Sequence, residues 1–424
     1  MSIKLGLIGL GTVGQGVVQI LQRQAERLSR QIGQEIVIKS VCVRDPEKSR
    51  DIDLNGYEIV ADPAQIVADP EIDIVVELMG GLEPAKTLIE TALKSGKSVV
   101  TANKMVISKF KTELSAAEAA STGFLYYEAA VAGGVPIINA FKTGLIANTI
   151  TGLDAILNGT TNYILTQIES TQRSFDDVLA EAQQLGFAEA DPTLDLNGND
   201  AAHKLIILAS DAFGVRLAEA DLAYEGIVGI SLRDIQVANE FGYRIKLLAI
   251  GRRVGETSVS FKLHPTMIPK SHPLASVNNE NNAVYLVGDA AGEQMMYGRG
   301  AGRMPTASAV VSDIVTIASG KARKTPAIEN DLVVIPQSET TTQFYIRMKV
   351  ADTVGVLEKI AAIFGRHQVS ILRVLQSEVN ATAAELIIVT HLAVEKNMMA
   401  ALDSLKQSDA VHEIHCVIRV GLGE

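Results

Sequence analysis

The stretch IKLGLIGLGTVGQGVVQIL, residues 3–21, decides the fold. Ile3–Ile8 is a short apolar run that reads as a buried strand, and a helical pattern follows through Val17–Leu28. Between them stands GLGTVG, Gly9 to Gly14. Alone, those six residues are as easily a plain tight turn. Their place, after a strand and opening a helix, makes them a dinucleotide-binding loop. Gly9 allows the turn, Gly11 lets the backbone approach a pyrophosphate, and Gly14 lets helix and strand pack closely. Thr12 and Val13 complete the loop at the helix N-terminus, where N–H donors and the positive dipole end face an anion.

Working outward, strands and helices alternate. Glu35–Val43, Ile72–Glu77 and Ser98–Thr101 read as strands, and Pro84–Ser95 and Lys111–Ser121 as helices. That alternation predicts a parallel, doubly wound Rossmann sheet in an α/β protein. The second strand runs out into VCVRDPEK. An acid at this point suits the ribose hydroxyls of NAD, and an arginine suits the 2′-phosphate of NADP. Arg44 comes first and Asp45 next, so NADP(H) is expected, with NAD(H) left open and a solvated arginine as the alternative. TANK, Thr101–Lys104, closes a later strand. Ligands of open α/β sheets sit beyond the carboxyl ends of the strands, so Thr101, Asn103 and Lys104 lie within reach of cofactor and substrate. The plainer reading of Lys104 is a surface lysine.

The chain has 424 residues, enough for two or three domains. Hydrophobic residues make up 47% and charged residues 21%, as in soluble globular proteins. A formal charge of −11 argues against nucleic acid or an anionic membrane as partner. The only cysteines, Cys42 and Cys416, sit in β-like runs and support neither a disulfide framework nor a zinc site. No signal peptide precedes the first strand and no apolar run is long enough to cross a bilayer, so a cytoplasmic location is expected.

Four regions are predicted. Residues 1–135 form the nucleotide domain, completed by a helix returning at about 305–320. Residues 136–304 form an α+β catalytic and dimerisation domain with a mixed sheet, and 321–342 a linker holding one short strand. In 343–424, Phe344–Val350, Val369–Glu378, Ala383–His391 and Val411–Val420 read as strands, with helices at Val354–Gly365 and Glu395–Leu405. That order, βαββαβ, is the ferredoxin-like unit.

The candidate chemistry lies in GFAEADPTLDLNGNDAAHKLIILA, residues 186–209. Asp200 falls in the first turn of a helix, where a carboxylate suits the dipole. Lys204 is four residues on and shares its face, bordering the apolar stripe of Ala201 and Leu208. Either the two make an ordinary surface pair, or Lys204 is a partly desolvated lysine fit for proton transfer near neutral pH, oriented by Asp200. Glu189 and Asp195, from the preceding loop, are placed to hold the cationic amino group of a substrate. His203 points elsewhere and reads as structural. NGTTNYIL, Asn158–Leu165, is a polar turn before an apolar helix. Asn158, Gly159 and Thr160 there either anchor a small polar ligand or simply cap the helix.

Taken in order, GLGTVG, TANK, EAAVAGGVPII, NGTTNYIL, GFAEADPTLDLNGNDAAHK and GRGAGRMPTASAVVSD resemble the homoserine dehydrogenases, over essentially the whole chain. The form resembled is the monofunctional one with a C-terminal ACT domain, since no kinase region precedes the glycine loop. The resemblance implies reversible NAD(P)-linked interconversion of L-aspartate 4-semialdehyde and L-homoserine, on the route to threonine, methionine and isoleucine. It implies Lys204 as proton donor with Asp200 orienting it, Lys104 as second candidate, Glu189 on the substrate amino group and Asp195 in support. Where the family commonly has tyrosine before the glutamate motif, this chain has Phe187. EAAVAGGVPII resembles the family's monovalent-cation site, which implies Glu128 with the carbonyls of Val131, Gly133 and Val135, and sodium as the ion. VADTVGVLEKIAAIF resembles the ACT signature and implies L-threonine as effector at Asp352, Gly355, Val356 and Leu357, in a homodimer or homotetramer. An ACT domain that only assembles subunits is the simpler alternative. Two rival functions are a different amino-acid-linked dehydrogenase, which has no need of the Glu189/Asp195/Asp200/Lys204 set, and a non-catalytic sensor, which would have no need to keep Lys204 or the loop glycines.

Overall fold

In the computed structural model, which describes residues 2–325, 332–380 and 382–421, six short strands lie side by side in the order 3-2-1-4-5-6. They are β1 (Ser2–Ile8), β2 (Glu35–Cys42), β3 (Glu58–Val60), β4 (Ile74–Glu77), β5 (Ser98–Thr101) and β6 (Leu125–Tyr126). Every pairing is parallel. β4 and β5 are buried at every position, as an apolar run covered on both faces requires. The glycine loop leads from β1 into the helix Thr12–Ile32. Val17, Val18 and Leu21 of that helix meet Ala307, Val310 and Ile314 of a later helix, Arg303–Ala318, in one apolar cluster with β1 and β4. The order of strands reverses between β1 and β4, the point at which such sheets bind ligands beyond their carboxyl ends.

The chain divides into two compact units. One falls within 1–151, 203–219 and 282–331, the other within 152–202, 220–281 and 332–424. In the second unit β7 (Ile150–Ile156), most of which lies there, pairs antiparallel with β8 (Tyr243–Val254), and β8 with β9 (Ser258–Pro269). β10 (Asn281–Gly288) and β11 (Gly292–Arg299), hydrogen-bonded neighbours, lie almost wholly in the first. β12 (Val333–Ile335) adds to β9 in parallel. The linker expected over 321–342 includes residues 326–331, which lie outside the described residues.

The tail holds β13 (Thr341–Ala351), β14 (Ile371–Asn380), β15 (Ala383–Thr390), the two-residue β16 (Ala393–Val394) and β17 (Val411–Val420). Helices Val356–Arg366 and Glu395–Lys406 connect them. The order β17-β13-β15-β14 is antiparallel throughout and ferredoxin-like. Phe344, Ile346, Met348 and Val350 alternate into the core under the two helices. The period of two sends Tyr345 and Arg347 to the opposite face. β17 also pairs in parallel with β9, through Arg419↔Thr266 and Val420↔Met267, so the tail extends the mixed sheet. Sequence reading did not foresee that join.

Candidate active site

The carboxyl edge of the Rossmann sheet collects the first set of candidates. Ile8, Cys42, Glu77 and Thr101 stand in register at the ends of their strands. Gly9 has φ +102°, and a side chain there would strike the Leu78 backbone at 2.7 Å. A Cβ on Gly14 would lie 2.4 Å from the Gly9 carbonyl oxygen. Gly11 is the N-cap of the helix Thr12–Ile32, makes no side-chain cap bond, and has open space where a Cβ would stand. Thr12 and Val13 form the first turn. This cradle fits a pyrophosphate in shape and in polarity. Arg44 and Asp45 are exposed just past β2, and Asp45 Oδ1 accepts the Glu47 backbone N–H at 3.0 Å. Arg50 ties down the same loop by donating to the carbonyls of Asp45 and Lys48.

Thr101 and Asn103 are buried and turned inward. Thr101 Oγ1 donates to Glu77 Oε2 at 2.6 Å and accepts the Asn103 N–H at 3.0 Å. The Asn103 side chain caps the helix Lys104–Ala119 through the Val106 N–H, and its amide donates to the Gly81 carbonyl at 2.7 Å. Glu77, fully buried, also accepts the Met79 and Gly80 N–H groups and so shapes the loop beside Gly9. Sequence reasoning missed Glu77. Its only signal is an acid closing the apolar run IDIVVE.

The two candidate lysines ride on helices that are fastened together. Lys104 opens Lys104–Ala119, and Lys204 lies on Asn199–Phe213. Ser108 Oγ and His203 Nδ1 are 3.0 Å apart. One turn on, buried Lys111 donates to Asp211 Oδ1 and to the Tyr127 hydroxyl, each at 2.6 Å. Burial pushes the Lys111 ammonium below its ordinary range, against the pull of Asp211. His203, 2% exposed, takes the structural part expected of it.

In the second unit the carboxylates converge. The helix Gly159–Thr171 has Asn158 as its N-cap, accepting the Thr161 N–H at 2.8 Å. The Asn158 amide then donates to Asp195 Oδ1 at 2.8 Å and to Asp200 Oδ2 at 2.9 Å. Thr160 Oγ1 reaches Asp195 Oδ2 at 3.1 Å and the Phe187 carbonyl at 2.7 Å. The cap oxygen and the amide of this one asparagine thus do separate jobs. Asp200 is buried and Asp195 half-buried. Gly159 is there for space, since a Cβ would stand 2.7 Å from the Glu280 carbonyl. Glu189 lies exposed on the preceding turn, outside this network. Phe187 packs on the Tyr163 ring, centroids 4.7 Å apart.

Glu128 is buried, and its two carboxylate oxygens accept the Ile138 and Asn139 N–H groups at 2.9 and 2.6 Å. Ala132 and Gly133 beside it are both left-handed, φ 53°. The buried Glu128 carboxylate is the kind of oxygen donor a hard cation takes. In the tail, Asp352 and Gly355 lie between β13 and the next helix, with Gly355 left-handed at its N-cap, and Val356 and Leu357 open that helix. Val354 is fully exposed and Leu357 45% exposed.

A Rossmann sheet with an open glycine cradle, an Asn-bridged carboxylate cluster and a ferredoxin-like tail define a dinucleotide-linked oxidoreductase with an ACT-type appendage. Family models agree in detail. They match homoserine dehydrogenase over residues 136–315, its NAD-binding domain over 9–128, and the ACT domain over 344–408. The homoserine dehydrogenase of Synechocystis sp. is 46% identical, over 99% of this chain and all of its own. A crystal structure of a homoserine dehydrogenase from Thiobacillus denitrificans superposes with TM-score 0.93 at 42% identity, covering 100% of this chain and 99% of that one. A hyperthermophilic archaeal homoserine dehydrogenase in complex with NADPH has TM-score 0.64 at 26% identity, covering 77% and 100%. The chain belongs to the homoserine dehydrogenase family.

Proposed function

We propose that this chain reduces L-aspartate 4-semialdehyde to L-homoserine, reversibly and with preference for NADP(H), on the route to threonine, methionine and isoleucine. The observation that carries the reading is the Asn158 amide bridging Asp195 and Asp200, with Lys204 one turn beyond Asp200. A dinucleotide held at the Gly9–Gly14 loop would supply the hydride. Lys204 would give a proton to the carbonyl oxygen, and Asp200 would orient the ammonium. Lys104 is the second candidate for the proton. Asp195 and the exposed Glu189 hold the substrate amino group, while Asn158 and Thr160 fix Asp195.

Arg44, exposed just past β2, favours NADP(H), because a guanidinium there pairs with the 2′-phosphate that NAD(H) lacks. An archaeal relative solved in complex with NADPH supports NADP(H) use without ranking it against NAD(H). Sodium at Glu128, Val131, Gly133 and Val135 would rigidify the segment next to β6. We take residues 1–135, with the helix at 305–320, as the nucleotide domain, 136–304 as the catalytic and dimerisation domain, and 343–424 as regulatory. L-threonine at Asp352–Leu357 lowers the rate in a homodimer or homotetramer of a cytoplasmic enzyme. The test is NADPH oxidation with L-aspartate 4-semialdehyde, with and without L-threonine. Rapid oxidation slowed by threonine is expected. Rapid oxidation indifferent to threonine overturns the effector assignment alone, and no oxidation with either dinucleotide by folded protein overturns the activity.

A further inference from the structure

We propose that two arginines of the tail, Arg347 and Arg419, are positioning residues for the substrate carboxylates. They act through the segment 224–234, which lies against the loop bearing Asp195 and Asp200. This inference rests on the substrate-site reading given above. The tail grips both ends of the segment. At one end Arg347, on the non-core face of β13, donates to Asp234 Oδ1 at 2.7 Å and Oδ2 at 2.9 Å, and to Ser231 Oγ at 3.1 Å. The Tyr345 hydroxyl adds a bond to Asp234 Oδ1 at 3.0 Å. Asp234 is fully buried, and it also closes a capping box with Ser231 at the start of the helix Leu232–Glu240. At the other end Arg419 of β17, 3% exposed, donates to Glu225 and to buried Glu395. Tyr224 makes a parallel bridge with Leu263 of β9, so the segment starts beside the strand that β17 joins.

Between these grips the segment presses on the substrate loop. The Ile227 N–H donates to the Leu196 carbonyl at 2.9 Å. Gly226 approaches so closely that a Cβ would stand 1.8 Å from that carbonyl oxygen and 2.5 Å from Asn197 Cα. The Asn199 amide donates to the Tyr224 hydroxyl at 3.2 Å. Leu196, Asn197 and Asn199 occupy the interval between Asp195 and Asp200. Their backbone therefore sets the spacing of the two carboxylates that Asn158 bridges. Bidentate arginine–carboxylate pairing fixes orientation as well as distance, which is what a brace requires. The tail then has a structural duty toward the substrate that is separate from any effector.

The test uses the full chain and measures KM for L-homoserine, KM for NADP+ and kcat in Arg347→Gln, Arg347→Lys and Arg419→Gln. Arg347→Gln and Arg419→Gln are each expected to raise KM for L-homoserine about three- to tenfold, with KM for NADP+ unchanged. Arg347→Lys keeps the charge and is expected to recover part of the loss. A homoserine KM within about twofold of the parent in both glutamine variants overturns the proposal. So does an equal rise in both KM values, which marks general loosening. Should Arg347→Gln not fold, Arg419→Gln decides. Asp195→Asn serves as the control: if it leaves the homoserine KM unmoved, the substrate site itself is misassigned, whatever the arginine variants do.

Discussion

Asn158 shows how much one side chain can carry. Its oxygen caps a helix and its amide separates two carboxylates that would otherwise repel. Asn158→Ala is expected to lower kcat/KM for the semialdehyde by about ten- to a hundredfold, as a cap and two charge-assisted bonds disappear. Steady-state kinetics at saturating NADPH check this. Lys204→Ala is expected to cost about a hundred- to ten-thousandfold in kcat with NADPH affinity retained, which fluorescence titration of the dinucleotide reads out. Unchanged turnover would move the proton to Lys104 or to water. Arg44→Ala is expected to cut kcat/KM with NADPH by about tenfold or more and to leave NADH nearly untouched, because a charge-assisted phosphate contact is lost. At this scale the sequence exposed what lies close along the chain. Asp200 and Lys204 are one helical turn apart and legible. Glu77 with Thr101, and Asp234 with Arg347, are joined only by folding, so no spacing announces them.

Among elements, the nucleotide-binding strands and the tail were legible because their patterns are regular. β5 and β17 were predicted with their observed bounds, and β13 alternates cleanly between core and seam. β9 was not so readable, whereas Arg244–Ile250 within β8 reads as a strand-like run. Both strands are twelve residues long and buried along most of their length, so there is no alternation to count. They also carry buried charge: Lys246 of β8, pushed down to about 8 by burial, donates to the Asn162 side chain at 2.9 Å. A lysine in the middle of a run reads as a surface or a break, not as the interior of a sheet. Glycine at the first turn makes a sharper claim. Gly9→Ala sets a Cβ against the Leu78 backbone at a left-handed φ, and is expected to abolish NADPH binding while the tail stays folded. Isothermal calorimetry with NADPH, beside near-ultraviolet dichroism, separates the two effects.

For the whole molecule, the seam between tail and body makes stability depend on acid. Burial pushes the Asp234 carboxyl up, but the Arg347 and Ser231 bonds outweigh it and hold the group below the ordinary carboxylate range. A carboxyl depressed in the folded state gives its full stabilisation above the unfolded value of about 4 and loses it as pH falls through the folded one. Urea melts are thus expected to show a steeper loss of stability below pH 4 in the parent than in Asp234→Asn, and parallel slopes would refute this. The shared sheet has a further consequence, which concerns the order of synthesis. The edge of β9 that receives β12 and β17 leaves the ribosome as Ser258–Pro269, long before Val411–Val420 exists. At ordinary elongation rates that gap lasts on the order of ten seconds. For that interval the nascent chain carries an open row of backbone donors and acceptors, ready to pair with any other strand it meets. Chaperone capture, or a slow stretch of codons, belongs in that window of translation rather than after it.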